Sequence, residues 1–196
     1  MPGAPGPPGG PLADLLRSYR PQDPAEQADR RELLRLAAGP GDPWRRTAPL
    51  HATASAVIVH PASGQVLLRW HQRHQAWLQV GGHGDPGEQD PLAIALREAA
   101  EETGLADLAP WPDAQLRHLT IVDVPASAAE PAHQHADLRF LLATQDPGAA
   151  RPERPDAPLR WLPVSEARQT VDGGLARTLA RIERVMTAAG AGGLPG

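Results

Sequence analysis

The 196-residue chain contains no cysteine, which excludes a disulfide framework, a thiol nucleophile and thiolate metal sites. Lysine is absent as well, so all 19 basic residues are arginine. That removes Schiff-base chemistry and the lysine of a phosphate-binding P-loop. Aromatic residues make up only 4% of the chain, with five tryptophans against one tyrosine and one phenylalanine. No stretch approaches the roughly 18 consecutive apolar residues of a membrane span. The formal net charge of -4 offers no basic field, so neither nucleic acid nor an anionic membrane is an expected partner. The opening MPGAPGPPGGP lacks the basic start and apolar core of a secretory signal. Residues 1–11 are expected to form a disordered Pro/Gly leader, and the protein is expected in the cytoplasm.

What is present suits one globular domain with an extension: 41% of residues are hydrophobic. Leu15, Leu16 and Tyr19, then Leu33, Leu34 and Leu36, recur at helical spacing on either side of Pro21 and Pro24. They predict two short helices in an N-terminal extension over 12–48. From His51 the pattern turns to strands. Residues 53–59 end in the β-branched run ASAVIV, and GQVLLRWH (64–71) follows the turn signal PASG, which predicts a hairpin. WLQVGG (77–82) reads as a third strand. A helix is expected from about Pro91 to Thr103, with Asp90 as N-cap and Gly104 as its stop. Residues 118–124, 135–143 and 159–163 read as further strands, 163–168 as a helical turn. Leu175, Leu179, Ile182 and Met186 form the apolar stripe of a terminal helix over 174–189. Strands interleaved with helices predict an α/β sandwich with a mixed sheet over 49–188, followed by a flexible tail at 189–196.

The 91–103 helix carries an unusual crowd. Wound at about 100° per residue, Leu92, Ala95, Leu96, Ala99 and Ala100 fall on one side. Glu98, Glu101 and Glu102 fall on the other, with Arg97 beside them. An ordinary solvated face would explain this sorting. Two features point elsewhere. The glutamates sit at the helix C-terminus, where the dipole disfavours negative charge. They also lie next to a glycine turn whose carbonyls are hard oxygen ligands. Carboxylates with a backbone carbonyl suit Mg²⁺ or Mn²⁺, and their repulsion becomes affinity once a cation is present.

The stretch VGGHGDPGEQDPLAIALREAAEETGL (80–105) resembles the Nudix box, Gly-x5-Glu-x7-Arg-Glu-U-x-Glu-Glu-x-Gly-U, where U is a bulky aliphatic residue. Gly82 and Glu88 match its first half. Arg97, Glu98, Glu101, Glu102, Gly104 and Leu105 match its second half, at the same spacing as the box. Ala99 stands at one U position. Eight residues rather than seven separate Glu88 from Arg97, and a turn in GEQDP is expected to absorb the extra one. The resemblance covers roughly 50–188 and implies a Nudix-like α/β/α sandwich. It further implies hydrolysis of a diphosphate linkage in a nucleoside diphosphate-type molecule. On that resemblance Gly82, Glu98, Glu101 and Glu102 would bind Mg²⁺, with Mn²⁺ as an alternative. Arg97 would orient the carboxylates, Glu101 or Glu102 would act as base, and Glu88 would brace the loop against the helix. A Nudix-like sensor that binds nucleotide without cleaving it is the rival reading. An isopentenyl-diphosphate isomerase-like enzyme shares the sandwich but usually relies on a catalytic cysteine, which this chain lacks.

A second constellation lies in EPAHQHADLRF (130–140). On a strand, His133, His135, Asp137 and Arg139 share one face, opposite Leu138 and Phe140. Three readings stand side by side: a polar face turned to solvent, a set contacting substrate phosphate near the metal site, or an independent transition-metal site. Arg69 and Arg73, in RWHQRH (69–74), would hold substrate phosphates or belong to an exposed hairpin loop. Trp77 would stack on a base or open a strand as a core residue. Trp44, Trp111 and Trp161 read as packing residues. The expected partner is a small phosphorylated, nucleotide-like molecule, with a homodimer left as an option.

Overall fold

The computed structural model describes residues 10–127 and 130–191, so most of the leader (1–9) and the end of the tail (192–196) lie outside the described residues. Two helices come first, α1 (Gly10–Ser18) and α2 (Pro24–Ala38), followed by β1 (Leu50–His60) and β2 (Gln65–His71). Then come β3 (Ala76–Leu78), β4 (Val80–Gly82) and α3 (Pro91–Thr103). The chain continues through β5 (Ala109–Pro110), β6 (His118–Val124), β7 (His133–Ala143) and β8 (Leu159–Pro163), and ends with α4 (Val164–Thr170) and α5 (Gly173–Ala191). No helix among the described residues is long and apolar enough to cross a membrane.

The eight strands form one mixed sheet centred on β1. β7 runs parallel along one edge of β1, from Leu50↔Gln134 to Val59↔Ala143. β2 lies antiparallel on the other edge, completing the expected hairpin at His60↔Gln65. The third strand differs from its prediction, because Gln79 breaks it in two. β2 splays away from β1 beyond Leu67, and the 76–82 segment fills the gap. Its first half pairs with β2 at Trp70↔Trp77, its second with β1 at Ser55↔Gly81. β5 is a two-residue pairing with β7 that no periodicity announces.

Alternation along β1 assigns the two faces of the sheet. Ala52, Ala54, Ala56 and Ile58 face a core shared with Ile94, Ala95 and Ala99 of α3. Val57 and Val59 face the opposite core, with Leu141, Leu162 and the α5 residues Leu175, Leu179 and Ile182. This is the α/β sandwich expected from the sequence. On the α5 side only half of the sheet is apolar. Toward the start of β1 and β7 the same face presents His51, Thr53, Ser55, His135, Asp137 and Arg139, and a cavity opens over all of these but His51.

The N-terminal helices join the first core through Leu12, Leu16 and Leu33. They are also tied by charge. The buried Glu26 carboxylate accepts from Arg181 of α5 at 2.9 Å and from the Tyr19 hydroxyl. Asp29 accepts from the Ile121 N–H of β6 at 3.0 Å. Breaking one member of such a buried pair costs about 3–5 kcal/mol, because the other charge is stranded. Trp44 is buried; Trp77, Trp111 and Trp161 pack as partly buried residues against the two cores.

Candidate active site

Helix α3 is placed by its caps. The Asp90 side chain accepts from the N–H groups of Leu92 and Ala93, Pro91 opens the first turn, and Gly104 ends the helix at φ +67°. Its buried face is Ile94, Ala95 and Ala99, while Ala100 is exposed. The helix is therefore rolled relative to the sequence reading, and the three glutamates are not equivalent. The side chains of Glu98 and Glu102 are only 15% and 13% exposed, whereas that of Glu101 is 55% exposed.

The glycines of β4 receive the two inward carboxylates. The Gly81 N–H donates to Glu102 Oε2 at 3.0 Å. A Cβ on Gly82 would meet Glu98 Oε2 at 2.7 Å and would push that carboxylate aside. Gly81 is doubly constrained, with φ +142° and its Cβ position 2.4 Å from the Ser55 Cα. Burial pushes the Glu102 carboxyl up to about 7, although the Arg69 charge and the Gly81 N–H pull the other way. Glu98 is also raised, first by burial, against the opposing pull of Arg97.

Arg97 bridges the loop and the helix. Its Nη2 donates to Glu88 Oε2 at 2.9 Å and to the His83 carbonyl at 2.9 Å. Its Nη1 donates to Glu98 at 3.0 Å and Glu101 at 3.1 Å. Arg97 reaches Glu88 across the eight intervening residues, and just before them the Glu88 N–H closes a turn on the Asp85 carbonyl at 2.9 Å, with Gly87 at φ +95°. Arg97 holds the Glu88 carboxylate below its usual range.

The cavity of about 470 Å³ on the α5 side is lined by Thr53, Ser55, Gln79, His135, Asp137 and Arg139, and reaches Gly81–Gly82 at its edge. Asp137 is buried and accepts from Arg139 at 2.7 Å and from Gln79 at 3.0 Å, which leaves the Gln79 Oε1 without a protein partner. A larger cleft of about 830 Å³ lies between α1, residues 114–117 and α5, and holds none of the carboxylates.

The two arginines expected with the substrate stand elsewhere. Arg69 is buried and paired with Glu102 at 3.1 Å. Arg73 pairs with Glu130 and donates to the Pro125 carbonyl at 2.8 Å, and neither lines the cavity. His71 and His74 of the same segment do. Thr53, Ser55, Gln79, His51 and His83 were missed from the sequence. The first two were readable in the alternation of HATASAVIV, had its polar positions been followed as well as its apolar ones.

His133 and His135 meet His51 and His83. Ring centroids are 4.8 Å apart for His51–His135 and for His83–His135, and 4.9 Å for His133–His135. Burial disfavours the charged form of three of these rings, pushing His83 down to about 4 and His135 to about 3, with His51 lowered for the same reason.

The NUDIX domain family model matches residues 49–182. The chain therefore belongs to the NUDIX domain family. Among curated proteins, none matches the chain. Two solved structures illustrate the shared fold. An Ap4A hydrolase from C. elegans, in a binary complex, superposes with a TM-score of 0.57 at 18% identity, over 70% of this chain and 98% of that one. The dihydroneopterin triphosphate pyrophosphohydrolase of E. coli gives 0.51 at 16% identity, over 72% and 97%.

Proposed function

We propose that the chain is a Mg²⁺-dependent hydrolase that cleaves the diphosphate linkage of a small nucleoside diphosphate-type molecule. One observation carries this reading. Glu98 and Glu102 are pressed into a glycine cradle where burial penalises their charge, and Arg97 and Arg69 compensate it only in part. Three carboxylates beside the Gly82 carbonyl are a hard, all-oxygen set that fits Mg²⁺, with Mn²⁺ as the alternative. When bound, the ion supplies charge neutralisation on the phosphate oxygens and activation of the attacking water.

The chain's own groups do the rest. Arg97 spaces Glu98 from Glu101 and ties both to Glu88, so the carboxylates keep their geometry. Glu102 or Glu101 accepts the proton of the attacking water. Thr53, Ser55 and the free Gln79 Oε1 offer hydrogen bonds to the organic part of the substrate, and His135 and Asp137 complete that wall.

A panel of nucleoside diphosphate derivatives and other diphosphates, read by phosphate release with a coupled phosphatase, tests the reading. Turnover with Mg²⁺ and none in excess chelator is expected. Full activity in chelator would sink the metal assignment. Tight nucleotide binding without turnover across the panel would make the protein a sensor instead.

A further inference from the structure

We propose that His51, His133 and His135 form a second metal centre, an all-nitrogen site for a divalent transition ion, Zn²⁺ foremost, with His83 on its fourth side. The imidazoles come from three places that the fold forces together. His51 and His135 are directly paired across the parallel β1–β7 ladder, His133 stands two residues before His135, and His83 follows the last residue of β4. One ligand nitrogen from each of His51, His133 and His135 lies within 4.8 Å of the others.

The tautomers identify which nitrogens are free. His51 Nδ1 is 2.9 Å from the Ala48 carbonyl, and His133 Nδ1 is 2.9 Å from the Pro131 carbonyl. A carbonyl only accepts, so each Nδ1 carries a proton, and Nε2 is the nitrogen of each ring left to act as a ligand. A backbone carbonyl on the non-ligating nitrogen is the usual outer partner of a metal-bound histidine. Each of these Nε2 atoms meets another imidazole nitrogen at hydrogen-bond distance, a contact that an ion between the rings would replace. His51 Nε2 is 3.0 Å from His83 Nε2, and His133 Nε2 is 3.0 Å from His135 Nε2.

Donor chemistry then selects the ion. No carboxylate belongs to the set, so Mg²⁺ has no reason to enter, whereas imidazole nitrogens suit Zn²⁺ and its transition-metal neighbours. Tetrahedral Zn²⁺ with bonds of about 2.0–2.1 Å needs nitrogens about 3.4 Å apart. His133 and His135 are part-exposed, which leaves their rings room to turn toward that spacing. His83 and His135 also line the substrate cavity, and the His83 carbonyl is held by Arg97. An ion at this position would pin the start of the loop that follows Gly82 to β1 and β7.

The test uses the full chain, purified without a histidine tag, given one equivalent of Zn²⁺, dialysed in millimolar Mg²⁺ and analysed for metal. About one Zn²⁺ per chain is expected, and Co²⁺ loading should give the visible absorption of a tetrahedral nitrogen site. His51→Ala with His135→Ala should weaken Zn²⁺ binding by more than about 100-fold, beyond the cost of losing an outer partner. Glu98→Gln with Glu101→Gln should retain the ion. His133→Gln, at a part-exposed position, provides a second variant, and circular dichroism checks the fold of each. Wild-type protein that keeps no Zn²⁺, or folded histidine variants that keep all of it, would overturn the proposal. Loss of the ion from the glutamate variant but not from the histidine variants would overturn it too. None of these readouts depends on the hydrolase activity.

Discussion

Two clusters of ligating side chains lie on either side of Gly82, and they differ in almost every respect. On α3 the donors are charged oxygens, braced by Arg97 and partly buried against glycines. At the start of β1 and β7 the donors are imidazole nitrogens, packed ring against ring with no carboxylate in the set. Carboxylate oxygens suit hard cations such as Mg²⁺, and imidazole nitrogens suit transition ions such as Zn²⁺. The first cluster comes from consecutive helical turns. The second comes from residues up to 84 positions apart, from His51 to His135.

The comparison is broken most severely by neutralising the carboxylates. Glu101→Gln or Glu102→Gln should lower kcat by roughly 10²–10⁴-fold, the range for losing a positioned base, while Zn²⁺ retention stays at the wild-type level. Steady-state kinetics within threefold of wild type would remove the base from this helix. Arg97→Lys should have a smaller effect, about 10–100-fold in kcat/KM, because one ammonium cannot hold Glu88, Glu98 and Glu101 together. Its pH profile should move as well, since the carboxylates would lose a fixed positive neighbour.

The smallest effect lies in stability. Glu102 has its carboxyl raised to about 7 from the ordinary 4.5. Its contribution to metal-free stability is therefore fully present below 4.5 and lost as pH rises through 7. Removing Glu102 also strands buried Arg69, so the Tm difference between Glu102→Gln and wild type, both metal-free, should move in the variant's favour as pH rises from 4.5 to 8 on top of a pH-independent loss. His118 has the opposite sign, pushed down to about 3 by burial and by the Arg139 and Arg181 charges. Its contribution is present above 6.5 and lost progressively as pH falls toward 3. Thermal melts in chelator at several pH values separate the two.

Much of the carboxylate centre was legible because its determinants are local. Asp90, Pro91 and Gly104 set the ends of the helix through their own backbone and side-chain chemistry. The spacing of Gly82, Glu88, Arg97, Glu98, Glu101 and Glu102 can be read along one stretch. What helical periodicity could not supply was the roll of α3, which separates Glu98 and Glu102 from Glu101 and leaves Ala100 exposed. That roll depends on how Ile94 meets the sheet. For Arg69 the sequence left a phosphate ligand and an exposed loop residue side by side, and its buried pairing with Glu102 lay beyond reach because the two are far apart in the chain.

The histidine centre divides along the same line. Strand alternation put His133, His135 and Asp137 on one face, with solvent, substrate and metal all open as explanations. His51 and His83 were single residues with no partner within reach in the chain. The parallel pairing of β1 with β7 and the break at Gln79 bring them together, and both arise from pairing over long sequence separations. The sequence by itself determined the helix caps, the glycine cradle and the set of carboxylates, since each is specified by residues a few positions apart. Only the tertiary structure decided which carboxylates are buried, which arginines are already neutralised and which four imidazoles share one space, because burial and long-range register belong to no single segment.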